Sequence, residues 1–383
     1  MGNQLKKQTH PELSIILPCR NEEKALPYCL NQIKQVIKKH KINAEIIVSD
    51  SSTDSSPEIA KQHKVKLVKH NKEGYGNAYL EAFKHTKGKY IFMADADCTY
   101  DFNEIPVFLK FLKQDYDFVI GNRFANKIQK NSMPFSHKYI GNPLLSFILR
   151  LFFRTNIKDA HCGMRAISKQ ALNKLNLQTT GMEFASEMII KAINNKLSIK
   201  QLPIKYYQRK GTSKLNTFSD GWKHLRFMFL CSPLFLFFIP GLIFFLLGFE
   251  TMLWFYFTNP IILGIKFQFH PMFVSALLTI IGYQLIFFAF FAKTYSTTHL
   301  KEESPALDKL YKYLNLKTGS ILGVLLDLAG LIIFIFILIK WISTDFGALN
   351  QVKNSILALT LITIGIQTIF SSFMLSILGI KEK

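Results

Sequence analysis

The chain has 383 residues, of which 49% are hydrophobic and 14% aromatic, and a formal net charge of +21. That length holds two domains, or one domain joined to a membrane part. Residues 231–383 contain 10 Lys, no Arg and 7 acidic residues, so +18 of the charge lies in residues 1–230, which excludes an evenly mixed soluble protein and predicts a basic head with an apolar tail.

Charge of this density next to membrane segments is drawn to anionic lipid at about 1 kcal/mol per Lys or Arg close to the headgroups. Lipid or phosphate is therefore the expected partner, and nucleic acid is not. The five cysteines, at 19, 29, 98, 162 and 231, are odd in number and lack C-x-x-C spacing. They suit a reducing compartment and argue against a disulfide framework or a zinc site. The opening "MGNQLKKQTHPE" has no apolar h-region, so no cleavable signal is expected, and Lys6 spoils a myristoylation signal.

In chain order, "LSIILP" (13–18) predicts a strand and "EEKALPYCLNQIKQVIKKH" (22–40) a helix. "AEIIVSD" (44–50) reads as strand, "SSPEIAKQH" (55–63) as helix, "VKLVKH" (65–70) as strand, "GNAYLEAFKHT" (76–86) as helix and "KYIFMAD" (89–95) as strand. This alternation predicts an α/β sheet whose first strands are parallel, with ligands at the carboxyl ends of the strands.

The polar residues after each strand then share one address: Arg20, Asn21 and Glu22, Asp50 to Asp54, Asp95 with Asp97, and Asn122 with Arg123. A dinucleotide site would need G-x-G-x-x-G after the first strand, but the sequence there is "PCRNEE", and Gly74 with Gly76 lacks the third glycine. Two acids one residue apart can hold Mg²⁺ or Mn²⁺, a hard cation that keeps waters and bridges phosphate oxygens. In extended chain residues i and i+2 point to one side, so both carboxylates are expected to face one ion.

From "IILPCRNEE" through "VSDSSTDSS", "GYGNAYLEAF", "MADADCTYD", "VIGNRF", "DAHCGMRAIS" and "GMEFASEM" to "QRKGTSKL", residues 13–215 resemble family 2 glycosyltransferases. Within that family the chain is most similar to polyprenyl-phosphate hexosyltransferases of the dolichol-phosphate mannose or glucose synthase type. The resemblance implies a GT-A head, a Rossmann-like mixed sheet with flanking helices. The sequence adds an all-α membrane domain of four transmembrane helices.

The resemblance also implies roles. Pro18 and Glu22 match the first nucleotide-binding loop, Asp50 the acid that contacts the base, and Gly76 lies in a further donor segment. Asp95 and Asp97 match the D-x-D that faces metal and diphosphate, where Thr99 stands in place of a frequent Gln. Arg123, Asp159, Arg209 and Lys214 match residues toward the donor and acceptor phosphates, and Asp95, Asp97, Arg209 and Lys214 are the expected catalytic set. Asp54 and Asp101 read as helix caps. His161 beside Cys162 suggests a nucleophile pair, but sequence neighbours seldom aim at each other and no orienting group is evident. Arg165 is expected to partner an acid.

Residues 133–154 and 218–232 combine apolar runs with bases and are expected to be interfacial helices, the first with a core helix as the competing reading. The expected organisation is a head over 1–217, a linker helix over 218–232 and a membrane domain over 233–383. Windows at about 233–257, 270–292, 319–340 and 355–379 each exceed the roughly 20 apolar residues needed to span. The connection between the second and third holds Lys293, Lys301, Lys309, Lys312 and Lys317, which predicts that it, the head and the "KEK" terminus are cytoplasmic.

The expected reaction is inverting transfer of a hexose from a nucleotide sugar to a polyprenyl phosphate, by a multi-pass protein that could form a homo-oligomer. Two rivals are a processive polysaccharide synthase, which would carry Q-x-x-R-W, and a non-catalytic lipid-binding or translocating protein with a degenerate head. No R-W follows "QRKGTSKL", and the acids at 95 and 97 are present.

Overall fold

The computed structural model describes residues 10–126, 128–130, 132–211, 217–299 and 316–379. The chain divides into two units, Met1–Cys231 and Ser232–Lys383.

The first unit is built on a seven-stranded sheet in the order β3-β2-β1-β4-β6-β5-β7. Its strands are β1 Leu13–Cys19, β2 Ala44–Asp50, β3 Lys66–Lys69, β4 Tyr90–Met93, β5 Phe118–Asn122, β6 Arg165–Ser168 and β7 Ile199–Pro203. β1 is covered on both faces, so it is apolar along most of its length instead of alternating. It pairs in parallel with β2, from Leu13 opposite Ala44 to Cys19 opposite Asp50, and with β4, from Leu13 opposite Tyr90 to Ile16 opposite Met93. β6 runs antiparallel to both β4 and β5, while β7 is parallel to β5.

Helix α1, Leu26–His40, buries Leu26, Cys29, Leu30, Ile33 and Val36, one stripe at helical spacing. Fully burying each large apolar side chain contributes about 1.5–3 kcal/mol. The helix was expected from residue 22. It begins four residues later because Asn21 is left-handed (φ 53°) and the Glu22 N–H goes to the Ser56 hydroxyl, leaving residues 22–25 as a loop. The other helices are α2 Ser56–Gln62, α3 Tyr75–Phe83, α4 Ile105–Lys113, α5 Asn142–Phe153, α6 Lys169–Leu175, α7 Phe184–Asn194 and α8 Thr217–Leu230. A π-helical turn over Ser136–Gly141 precedes α5.

α8, read from the sequence as a linker, packs on α5 and α7 and buries His224 and Met228. α5 buries Ser146 and Leu149, while Phe135, Tyr139, Ile140, Leu144, Phe147 and Leu151 on it and the turn before it stay exposed.

The second unit contains α9 Ile239–Phe257, α10 His270–His299, α11 Leu316–Ile342 and α12 Val352–Leu378, with a two-stranded hairpin at Ile261–Lys266 between α9 and α10. Four segments, Leu234–Phe257, His270–Tyr295, Leu316–Ile342 and Val352–Leu378, are long and apolar enough to cross a membrane. α11 and α12 meet along small residues, where a Cβ on Gly323 would lie 2.7 Å from the Gly365 carbonyl oxygen. The Asp327 carboxylate fills the notch that Gly365 leaves. Tyr283 and Thr368 bond through their hydroxyls at 2.6 Å, tying α10 to α12.

Candidate active site

The register of β1, β2 and β4 decides where the acids meet. Asp50 is the last residue of β2, level with Cys19, and the Glu22 loop follows β1. β4 ends at Met93, so the expectation that Asp95 and Asp97 converge in extended chain is not met. They lie in a loop that includes left-handed Cys98 (φ 65°), and the loop's own bonds hold them. The Lys210 N–H donates to the Asp97 carbonyl and the Tyr207 N–H to the Thr99 carbonyl, both at 2.9 Å, which ties residues 207–210 to the D-x-D loop.

Each acid has its own hydroxyl. Thr99 donates to Asp97 Oδ1 from its backbone N–H at 3.0 Å and its Oγ1 at 2.6 Å. Thr99 is thus a positioner of Asp97, a role the sequence did not suggest. The Tyr75 hydroxyl bonds with Asp95, while burial first and the Asp97 charge second push the Asp95 carboxyl up to about 7. A Cβ on Gly163 would lie 2.5 Å from Asp95 Oδ2, so glycine there leaves room for the carboxylate.

Arg209 stands between Glu22 and Asp97. Its NH2 donates to Glu22 Oε1 at 2.8 Å and lies 3.6 Å from Asp97 Oδ2, while its Nε is buried without a hydrogen-bond partner. Asp50 is fully buried; its Oδ1 accepts from the Ser52 hydroxyl at 2.6 Å, and its Oδ2 has no partner. The loops after β1 and β2 are laced together, since Asn21 N–H donates to Ser52 Oγ at 2.8 Å and Thr53 N–H to Asn21 Oδ1 at 2.8 Å. Pro18 belongs to the end of β1 beside them.

Other expected site residues have structural partners. Gly76 N–H donates to the Gly181 carbonyl at 3.2 Å, and a side chain there would collide with the Thr179 carbonyl oxygen, so this glycine admits the 179–181 backbone. Arg123 and Asp159 engage each other: the Arg123 N–H and Nε reach Oδ2 at 2.9 and 2.8 Å, and NH2 reaches Oδ1 at 2.8 Å. The guanidinium also lies over Tyr206, 5.3 Å from the ring centre. Arg165, expected to partner an acid, instead donates to three backbone carbonyls, of Cys162, Ala185 and Ala160, which use its Nε and both terminal nitrogens. Lys214 lies outside the described residues.

His161 and Cys162 diverge. Burial raises the Cys162 thiol to about 12, and the His161 ring meets the Ser186 hydroxyl at 3.4 Å. Ser186 is also 2.8 Å from His224 Nδ1. Desolvation depresses both imidazoles, His224 to about 4. Asp101 caps the turn at Phe102–Glu104 by accepting from Asn103 N–H at 3.0 Å. Asp54 accepts from Ser56 N–H at 3.0 Å at the start of α2.

Residues 14–175 match the domain described as Glycosyl transferase family 2. The low-salt glycan biosynthesis hexosyltransferase Agl6 of Haloferax volcanii is 37% identical over 372 residues, 96% of this chain and 89% of that protein. The chain belongs to glycosyltransferase family 2. This glycosyltransferase also matches, over residues 291–379, the family's C-terminal transmembrane region, and its head has the GT-A arrangement of a mixed sheet between helices. The dolichyl-phosphate hexose transferase of H. volcanii is 27% identical over 218 residues, 57% of this chain and 92% of that protein. A UDP-N-acetylglucosamine-dolichyl-phosphate N-acetylglucosaminyltransferase of Methanococcus voltae is 30% identical over 231 residues, 52% of this chain and 89% of that protein. Glucosyl-3-phosphoglycerate synthase from Mycobacterium tuberculosis superposes with a TM-score of 0.48 at 18% identity, covering 58% of this chain and 80% of that one.

The glycosyltransferase has hydroxyl positioners that its sequence did not announce. Thr99 follows Asp97 at i+2, a spacing that allows a local side-chain bond, and could have been found that way. Tyr75 is distant from Asp95 in sequence and carried no such signal.

Proposed function

We propose that the enzyme transfers a hexose, with inversion, from a UDP- or GDP-sugar to the phosphate of a polyprenyl phosphate at the cytoplasmic membrane face. Arg209 carries this reading. Its guanidinium sits among Glu22 and Asp97 with a buried Nε left unpaired, a condition that costs about 1–3 kcal/mol until an acceptor arrives. A phosphate oxygen is such an acceptor, bound by a charge-assisted bond. The dolichyl-phosphate substrates in the names of two relatives agree with it.

Asp50 Oδ2, buried and unpartnered, is suited to accept an N–H from the nucleotide base. Asp95 and Asp97 would hold Mg²⁺ or Mn²⁺. Among the described residues no group of three or more His, Cys, Asp or Glu is placed to hold a metal; the proposed donor set is these two carboxylates alone, a set that would suit a hard cation taking its remaining ligands from diphosphate and water. When bound, the ion supplies charge neutralisation for the departing diphosphate.

The attacking lipid phosphate is already anionic at neutral pH, so the protein need not supply a general base. What the chain does is align and neutralise, with Arg209 on the phosphates; the same role for Lys214 rests on the family resemblance alone. Arg123 and Asp159, engaged with each other, form the wall that carries Tyr206. The exposed apolar residues of α5, with Phe218, Trp222 and Leu230 of α8, would lie in the membrane interface beside Lys138, Arg150 and Lys223. The cytoplasmic assignment rests on the sequence of the connection that holds Lys293, Lys301, Lys309, Lys312 and Lys317, of which Lys301, Lys309 and Lys312 lie outside the described residues.

The test is a panel of UDP- and GDP-sugars offered with dolichyl or undecaprenyl phosphate to the purified full-length protein, scored for lipid-linked sugar. One donor is expected to give product that requires Mg²⁺ or Mn²⁺. Hydrolysis of every donor without lipid-linked product would overturn the acceptor assignment.

A further inference from the structure

Two of the cysteines meet beside the D-x-D loop. The sulfurs of Cys29 and Cys98 are 3.6 Å apart, in contact. Cys29 is 1% exposed on the buried stripe of α1, whereas Cys98 directly follows Asp97 and is partly exposed. Neither has a part in the sugar transfer described above. Cys98 is held at φ 65°, a conformation that a non-glycine residue keeps only when its surroundings impose it. Those surroundings are the bonds from Lys210 and Tyr207 to the carbonyls on either side of it, and the Cys98 thiol itself donates to the Ala25 carbonyl at 3.5 Å.

We propose that Cys29 and Cys98 form a reversible intramolecular disulfide, an oxidative modification site that ties the Asp95–Asp97 loop to α1. With hydrogen peroxide as oxidant, the sulfur of Cys98, the more exposed residue of the two, takes one peroxide oxygen to become a sulfenic acid, and the other leaves as water. The Cys29 thiol then attacks the Cys98 sulfur; the S–O bond breaks, a second water departs with the Cys29 proton, and the S–S bond forms. Two electrons pass from the sulfur pair to one peroxide.

A disulfide is about 2.05 Å long, so the sulfurs must close by roughly 1.5 Å. Cys29 is anchored by the core contacts of α1, so the loop that carries Asp97 supplies most of the movement. A displacement of about 1 Å in a reacting geometry can cost about 100-fold, and oxidation is expected to slow transfer by at least about tenfold. The bond can form whatever the substrates are, and only this effect on rate rests on the proposed function.

The experiment treats the full-length protein in detergent with hydrogen peroxide, digests it without reductant and identifies linked peptides by mass spectrometry, with transfer assayed before and after dithiothreitol. The expected result is a Cys29–Cys98 link, slowed transfer and recovery of both on reduction. Cys98→Ser is expected to form no link and to keep its activity through peroxide treatment. Cys29→Ala, which keeps a small apolar group in the core, is expected to accumulate a Cys98 sulfenic acid trapped by dimedone. Oxidation of Cys98 to sulfinic acid with Cys29 still reduced would overturn the proposal, and a link that leaves transfer unchanged would overturn its effect on the Asp95–Asp97 loop. A preparation that forms the link but transfers no sugar even when fully reduced would support the disulfide and overturn the substrate assignment instead.

Discussion

Arg123 and Arg209 bring the same guanidinium into opposite surroundings. Arg123 is 6% exposed and spends two guanidinium N–H groups and its backbone N–H on Asp159. Arg209 makes one short bond to Glu22, stands 3.6 Å from Asp97 and leaves Nε unpaired. Sequence alone gave both the same task, contact with phosphate. The difference is one of unspent hydrogen-bonding capacity: Arg123 is committed to Asp159, whereas Arg209 keeps an N–H to offer, which is why the phosphate contact is proposed for Arg209 and not for Arg123.

The most forceful way to break this comparison is Asp159→Ala, which would strand Arg123 as a buried unpaired charge. Loss of about 3–5 kcal/mol is expected, read as a lower unfolding midpoint of the full-length protein. Replacing both partners by apolar residues, Arg123→Met with Asp159→Leu, is expected to recover most of it. A neutral Asp159→Ala would show that the pair is not the lock described here.

The next effect concerns the same locked side, where Ser186 joins His161 and His224. Desolvation holds His224 at about 4 in the folded state, below its ordinary value. The unfolded chain therefore binds more protons between about pH 4 and 6.5, so the stabilisation is complete above that window and is lost as pH falls through it, by roughly 3 kcal/mol. His224→Asn is expected to flatten the fall of the unfolding midpoint over this range. An unchanged slope would contradict a buried neutral His224.

On the open side, Arg209→Met is expected to slow transfer about 100-fold, the scale of losing one preorganised charge contact, with the unfolding midpoint nearly unchanged. Arg209→Lys is expected to recover only part of the rate, because one ammonium cannot reproduce the guanidinium fork between Glu22 and Asp97. The smallest effect is that of Thr99→Val, which removes one hydrogen bond to Asp97. Mn²⁺ affinity, followed by the paramagnetic resonance of the free ion, should weaken by about 1 kcal/mol.

Much of this organisation was legible in the chain. The alternation from "LSIILP" to "KYIFMAD" predicted β1 to β4 with their helices, and the four apolar windows correspond to the four long helices of the second unit. β6 was not legible, because a four-residue strand that begins with the buried, carbonyl-bound Arg165 shows no apolar alternation. In the site, Glu22 and Asp97 converge as the order of the strands suggested, and Arg209, expected there only from the family resemblance, bonds Glu22 and lies 3.6 Å from Asp97. The union of Arg123 with Asp159 was hidden because their partnership depends on where the loop after β5 meets the turn before β6, 36 residues later. The Cys29–Cys98 contact, across 69 residues, was hidden for the same reason.

The central claim is that Asp97 presents the donor's diphosphate and its ion to the lipid phosphate. Its most direct test is Asp97→Asn in the full-length enzyme, assayed for transfer from the active nucleotide sugar to dolichyl phosphate with Mn²⁺ titrated in parallel. A fall in transfer of about a thousandfold is predicted, together with weakened Mn²⁺ binding and an unfolding midpoint close to that of the wild type. Transfer at a near wild-type rate would contradict the account.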